Sequence, residues 1–358
     1  MSVETKNVTI SIEKAKTSKI DQVDFDNLKF GSVYTDHMLV CDYRNGAWQS
    51  PKIMPYQSIS LDPSAKVFHY GQAIFEGMKA YKDDKGDIFL FRPLDNQKRL
   101  NISAKRLAIP ELPEEIFMEG LTTLLQMDSD FIPSKEGSSL YIRPFMFASG
   151  NGFHASPADE YKFIIACAPS GSYFSGKVKV LIEQTYSRSA NGGVGFAKAG
   201  GNYAGQFYPT QLAIEKGYNQ VIWTDDTEHE YIEEAGAMNI FVRINDTLIT
   251  GPTSDRILDG ITRKSILEIA KDNNIATEVR KITVTEVVNA AKDGSLKEMF
   301  GAGTAAVISP ISAFGYKGTD YELPELDNSY ASKIKKLITD IQYNKSEDKY
   351  GWRYKVNS

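Results

Sequence analysis

The 358-residue chain has only two cysteines, Cys41 and Cys167, and neither belongs to a CxxC pair. That excludes a disulfide framework and a cysteine-built zinc site. Its four histidines, His37, His69, His154 and His229, show no HExxH or other metal-ligand spacing, so no metal site is expected. Basic excess is missing too: the formal net charge is −5, which argues against a nucleic-acid partner. The opening stretch "MSVETKNVTISIEKAKTSKI" has no apolar core of signal-peptide length and lacks the arginines of a mitochondrial transit peptide. No later run approaches a membrane-spanning length, and no internal repeat or low-complexity tract occurs. A reduced, cytoplasmic protein without membrane association is expected.

What is present is an ordinary globular composition, 42% hydrophobic and 24% charged, in a length that suits two domains. "VYTDHMLVCDY", "DIFLFR", "SLYIRPFMFAS" and "EYKFIIACAP" read as strands, with "GAWQ" as a turn. "PLDNQKRLNISAKRLAIP" places Leu100, Ala104 and Leu107 at helical spacing between two prolines, and "EEIFMEGLTTLLQMDSDFI" is a second amphipathic helix. The segment 170–176, "SGSYFSG", is the best linker candidate. Beyond it, strands ("KVKVLIEQ", "NQVIWTD", "NIFVRI", "TLITG") mix with helices ("TRKSILEIAKDN", "TVTEVVNAAKDG", and a C-terminal one from "YASKIKKL"). Hairpins outnumber βαβ units, so the expected class is α+β rather than doubly wound. Residues 1–169 are expected as a smaller N-terminal domain and 177–358 as a larger C-terminal one.

Four constellations carry chemical interest. In "NGGVGFAKAGGNYAGQ", Lys198 sits among glycines, and a backbone so bare points to a close approach to something bulky. A lysine that attacks a carbonyl must be sterically open and readily deprotonated; a surface lysine in a glycine loop is the plainer alternative. Tyr203, five positions on, offers a phenol. In "YIEEAGAMNIFV", Glu233 and Glu234 precede an apolar strand, where a buried carboxylate needs a cation such as a protonated pyridine nitrogen; in isolation, two glutamates capping a loop is the simpler account. In "LDGITRKSILEIA", Ile261 and Thr262 open a helix whose free amides suit a phosphate, although most helix starts bind nothing. "FGAGTAAVISPI" matches GxGxxA superficially, but the charged segment "SLKEMF" precedes it and strand-like residues follow. A glycine–threonine turn is therefore preferred to a nicotinamide site. Arg99 and Arg143 are candidate anion clamps; Arg143 lies in an apolar strand and must be answered by a structural carboxylate, the commoner case, or by a ligand's.

Seven pieces in register, "FHYGQAIFEGMKAYK", "FRPLDNQKRL", "SLYIRPF", "KAGGNYA", "EEAGAMNIF", "GITRKSI" and "GAGTAAVI", resemble the branched-chain amino acid aminotransferases over nearly the whole chain. These are class IV, pyridoxal-phosphate enzymes of fold type IV: mixed α/β, two domains, active site at the domain interface. The resemblance implies transfer of the amino group between leucine, isoleucine or valine and 2-oxoglutarate, through an aldimine and pyridoxamine phosphate, in branched-chain amino acid metabolism. It matches Lys198 to the Schiff-base lysine, Glu234 to the carboxylate facing the pyridine nitrogen and Tyr203 to the phenol near the ring oxygen. Arg99, Ile261, Thr262 and Thr304 match the phosphate cradle. Phe30, Tyr70, Phe75, Tyr141, Arg143 and Tyr173 match the substrate pocket, and the amides of Thr304 and Ala305 the site of the substrate α-carboxylate. Phe153 and Ala155 fall where a partner subunit closes the pocket, so a homodimer is implied. Two departures stand out. Ala237 replaces a threonine found in some relatives, and Ala306 and Ser309 stand where vertebrate mitochondrial members carry a CxxC pair. D-amino acid aminotransferases and aminodeoxychorismate lyases share the fold; a nicotinamide dehydrogenase or a non-catalytic vitamin-binding protein are the rivals of other classes.

Overall fold

Alternation along Ser139–Ala148 organises the first half of the molecule: Leu140, Ile142 and Met146 are fully buried, while Tyr141, Arg143 and Phe145 between them are only half-buried. Successive strand side chains point to opposite faces, so this strand shows one face to a core and the other to a site. It is the centre of a ten-stranded sheet, antiparallel except for one short pair. The helices Pro93–Arg106 and Glu114–Met127 contribute Leu100, Ala104, Phe117, Leu121 and Leu125 to the core that also holds Leu140, Ile142 and Met146. Gly120 lets the second helix press close, since a Cβ there would lie 2.8 Å from the Leu39 side chain.

Pro144 is tolerated inside this central strand for a specific reason. Its neighbour is broken there: Ala73–Phe75 pairs with residues 145–147, Met78–Ala80 pairs with 140–142, and Glu76–Gly77 lie between. The Pro144 carbonyl still accepts from Glu76 N at 2.7 Å, and no partner is left wanting the N–H that proline lacks.

The computed structural model describes residues 8–171 and 178–356. The chain forms two compact units, Met1–Tyr173 with Ile341–Ser358, and Phe174–Asp340. The tail beyond Ile341, expected from the sequence in the second domain, therefore belongs to the first. Its strand Arg353–Val356 pairs with Ile88–Phe91, and a β-pairing of that length fixes it there. Most of the expected linker 170–176, Tyr173 included, lies outside the described residues.

The unit Phe174–Asp340 is built on a second ten-stranded sheet, of mixed direction. Its strands Tyr231–Ala235, Met238–Ile244, Leu296–Gly303 and Val307–Tyr316 form antiparallel neighbours. "GAWQ" of the first unit and "SLKEMF" of the second both differ from expectation: Ala47–Trp48 is a short strand, and Leu296–Gly303 is strand throughout. Charged Lys297 and Glu298 disguise the latter, because Glu298 is buried against Arg243 at 2.8 Å. Among the described residues, no helix is long and apolar enough to cross a membrane.

Candidate active site

In the unit Phe174–Asp340, one register line crosses the sheet through Trp223, Glu234, Asn239, Ala302 and Ile308, each paired with the next. Directly opposed residues share a face, so this line sets Glu234 and Asn239 side by side. Glu234, 2% exposed, is held from three directions. Its Oε1 accepts from Leu258 N at 2.9 Å and Asn239 Nδ2 at 3.2 Å, and its Oε2 is ion-paired with Arg188 Nε at 2.8 Å. A buried carboxylate requires partners of this kind. Loop capping is excluded, since Glu233 and Glu234 both lie inside the strand Tyr231–Ala235 and both are buried. Alternation sends them to opposite faces, and Glu233 meets Arg256 instead.

Lys198 lies between buried Ala197 and Ala199, just ahead of the short helix Gly200–Ala204. Its Nζ donates to Tyr203 Oη at 3.0 Å. Asn202 holds the approach, with Nδ2 bonded to Val194 O at 2.8 Å and Ala197 O at 3.0 Å. The bare backbone has a cause within the chain itself: a Cβ at Gly195 would lie 2.6–2.7 Å from the Arg256 main chain.

Ile261 and Thr262 begin the helix Ile261–Asp272, and both are buried. Its first intrahelical bond runs from Lys264 N to Gly260 O at 3.0 Å, so the amides of Ile261, Thr262 and Arg263 precede helical bonding. Asn239 Nδ2 also reaches Leu258 O at 2.8 Å, locking this helix start to the Glu234 strand. Thr304 and Ala305, half-buried, occupy the turn of a hairpin between Leu296–Gly303 and Val307–Tyr316. A strand, not a helix, follows the glycines, which removes the dinucleotide fingerprint.

In the unit Met1–Tyr173 with Ile341–Ser358, Phe30, Tyr141 and Arg143 line a cavity of ≈ 290 Å³. Phe30 packs edge-on against Tyr141 at 4.8 Å. Arg143 Nη2 donates to Tyr141 Oη at 3.0 Å, and its guanidinium lies 4.7 Å from the Phe75 ring centroid. Among the described residues no carboxylate pairs with Arg143, and its buried Nε has no partner. The structural acid that most often answers such an arginine is not there. Arg99, by contrast, is gripped by Glu76: Nε and Nη2 each lie 2.8 Å from a carboxylate oxygen, and Asn96 Nδ2 adds a bond of 2.8 Å. Tyr70 donates to the Phe153 carbonyl and is not among the residues around the cavity; Phe153 and Ala155 are exposed.

The family profile of amino-transferase class IV matches residues 73–314. Branched-chain-amino-acid aminotransferase 2 of Bacillus subtilis (strain 168) is 43% identical over 353 residues, 97% of each chain. The chain belongs to the class IV aminotransferases. A probable branched-chain-amino-acid aminotransferase of Staphylococcus epidermidis is also 43% identical, over 97% of this chain and 98% of that protein. The branched-chain aminotransferase of Thermoproteus uzoniensis, solved with norvaline, superposes with a TM-score of 0.74 at 25% identity, covering 90% of this chain and all of that one. A Thermus enzyme, complexed with N-(5'-phosphopyridoxyl)-L-glutamate, gives 0.69 at 25% identity over 88% of this chain and 98% of that one. The fold is thus that of the class IV aminotransferases, fold type IV.

Four residues of this site have no assigned part in the sequence pattern: Arg188, Asn239, Arg256 and Glu76. Glu76 had a signal, a lone acid in the apolar run "AIFEGM", the same anomaly that marks Arg143. Arg188 in "TYSRSANGG" had none, because only the folded chain brings it to Glu234. Of the two departures, Ala237 lies exposed in the Gly236–Ala237 hairpin turn, and Ala306 and Ser309 offer no thiol; the two cysteines, Cys41 and Cys167, are free and buried elsewhere. The donor set fits pyridoxal phosphate: an amine beside a phenol, a buried carboxylate, and a helix start with amides outside helical bonding.

Proposed function

We propose that this aminotransferase moves the amino group between branched-chain L-amino acids (leucine, isoleucine, valine) and 2-oxoglutarate, with pyridoxal phosphate as cofactor. The observation that carries the proposal is the Lys198 amine, set 3.0 Å from the Tyr203 phenol in the unit that also holds the buried Glu234. The names of the most similar relatives support the same assignment.

Lys198 would hold the cofactor covalently, Tyr203 would face its ring oxygen and Glu234 its pyridine nitrogen. Arg99, Ile261, Thr262 and Thr304 would hold its phosphate. When bound, the group supplies an electron sink for charge left at the substrate Cα. Lys198 then serves as general base, taking the proton from Cα, and Tyr203 keeps its nitrogen in place. Three fixed partners prevent Glu234 from reorganising as charge develops, which is how a preorganised site lowers a barrier.

The amides of Thr304 and Ala305 would receive the substrate α-carboxylate. Phe30, Phe75 and Tyr173 suit an aliphatic side chain. Arg143, with Tyr70 and Tyr141, would bind the second carboxylate of 2-oxoglutarate, which explains a guanidinium without an acid of its own. Phe153 and Ala155 would complete a partner subunit's pocket in a cytoplasmic homodimer, with neither nucleic acid nor membrane as partner.

Spectroscopy of the purified holoenzyme tests this. Visible cofactor absorbance should bleach with leucine and return with 2-oxoglutarate, and Lys198→Ala should lose both the band and turnover. Fluorescence typical of bound NADH, or an unresponsive band, would refute transamination.

A further inference from the structure

Arg256 is a crossing point for which the proposed chemistry has no use. Its guanidinium is buried and meets Glu233, Asp226 Oδ1 at 3.0 Å and Asn191 Oδ1 at 2.8 Å. Its main chain is held separately. Arg188 Nη1 donates to Arg256 O at 2.7 Å, while Arg188 Nε faces Glu234 at 2.8 Å. Both Nη atoms of Arg188 also reach Gly195 O at 3.2 Å, three residues before Lys198. Asp255, next in the chain, binds the same loop: its carbonyl accepts from Phe196 N at 3.0 Å and its Oδ2 from Gly192 N at 3.1 Å.

These contacts close a ring. Glu233 and Glu234 are neighbours on one strand and point to opposite faces; each meets an arginine, and the two arginines are joined through the Arg256 carbonyl. Every member is at most 9% exposed, so none has room for a second rotamer. Glu233 Oε2 is buried and bonded to nothing, so the carboxylate is placed for Arg256 alone.

We propose that the Glu233–Arg256 pair is a positioning device for the reaction centre, fixing the Lys198 loop against the Arg188–Glu234 pair through the Arg256 main chain. The inference rests on the roles given above to Lys198 and Glu234. Glu233 and Arg256 touch neither substrate nor cofactor in it; they act through other residues.

The charged groups acting on Glu233 are Arg256, Asp225 and Glu234, with Asp226 reaching it through Arg256. Burial first, then the two like charges, push the Glu233 carboxyl up to about 7 against the pull of Arg256. Burial opposes charge on Arg256 as well, but Glu233, Asp226 and Asp225 outweigh it and raise its value. The guanidinium therefore stays charged throughout, and the ring of contacts is fully ionised only above the Glu233 transition.

Three holoenzymes, wild type, Glu233→Gln and Arg256→Lys, are compared from about pH 6 to 9 with leucine and 2-oxoglutarate. Glu233→Gln should lower kcat about tenfold at the alkaline end and change the KM for leucine less than about twofold, since it disturbs placement rather than binding. The pyridoxal phosphate dissociation constant of the apoprotein, titrated by absorbance, should rise about tenfold. The fall in wild-type kcat below neutral pH should flatten in Glu233→Gln, and Arg256→Lys, which keeps the charge, should retain part of the rate. Loss of thermal stability alone, with wild-type kcat, cofactor affinity and pH profile, overturns the proposal. Should Glu233→Gln fail to fold, Arg256→Lys decides by the same readouts. A wild type without cofactor absorbance or transamination would instead sink the functional assignment, a different result from variants that match a working wild type.

Discussion

Gly195→Ala tests whether the glycines ahead of Lys198 serve the chain's own packing. The added Cβ would meet Arg256 O at 2.6 Å and Arg256 C and Cα at 2.7 Å, against 3.4 Å for ordinary contact, a shortfall of about 0.7–0.8 Å. All three are main-chain atoms, so no side chain can rotate away. Gly195 does not have a left-handed φ, so backbone preference is not the obstacle. Overpacking of this sort costs about 1–3 kcal/mol, and displacing Arg256 O from Arg188 adds about 1.5–3 kcal/mol for a charge-assisted bond. A total of about 2–5 kcal/mol lowers the melting midpoint by roughly 4–20 °C in a unit of this size. Calorimetry of Gly195→Ala beside Gly201→Ala gives the contrast. Gly201 is in the same run and begins the next helix, but a Cβ there meets nothing within 4 Å. Alanine at 201 should be neutral or stabilise by up to about 1 kcal/mol. A Gly195→Ala protein that melts with the wild type, or a Gly201→Ala protein that loses as much, refutes the packing argument.

Arg143→Ala should raise the KM for 2-oxoglutarate on the order of 10- to 100-fold, the worth of one charged hydrogen-bonding group, and that for leucine far less; equal losses in steady-state kinetics would count against its role. Asp225 accepts four backbone N–H groups, from Thr227, Glu228, Glu230 and Tyr231, which lower its carboxyl although burial pushes the other way. Its stabilisation is therefore present above its ordinary value of 3.8 and is lost as pH falls through the depressed one. Asp225→Ala should cost about 2–4 kcal/mol at neutral pH and remove that part of the acid-unfolding curve.

Local pattern made the strands and helices legible wherever burial follows one period, as in Ser139–Ala148 and Pro93–Arg106. It misled where a charge is buried in a strand. Glu298 made "SLKEMF" look solvated, and Glu233 and Glu234 looked like loop residues, because their cations, Arg243, Arg256 and Arg188, come from 45 to 55 positions away or from unremarkable turns. The glycine run was legible as a close approach, but its partner at Gly195, the main chain of residue 256, was not. Motif resemblance located Lys198, Tyr203 and Glu234 without revealing what holds them. Contacts that depend on register, such as Glu234 beside Asn239, exist only after the sheet has formed.

Glu233 offers the sharpest test of purpose, because its effect on stability runs opposite to that of Asp225. Its folded-state carboxyl is raised, from 4.5 to about 7, so the folded chain keeps a proton that the unfolded chain has already released. Between those values the unfolded state binds fewer protons, and stability must fall as pH rises. Above the window the ionised pair with Arg256 persists at a net cost. Buried ion pairs often cost stability relative to apolar packing, and their best-attested use is to impose one arrangement on the surrounding chain. Denaturation midpoints of wild type and Glu233→Gln across this range decide the matter. The wild type should lose stability towards neutral pH while the variant, with nothing to ionise there, should not. A wild type that gains stability over the same interval would make Glu233–Arg256 an ordinary stabilising bridge and leave its placement beside Glu234 without a mechanistic motive.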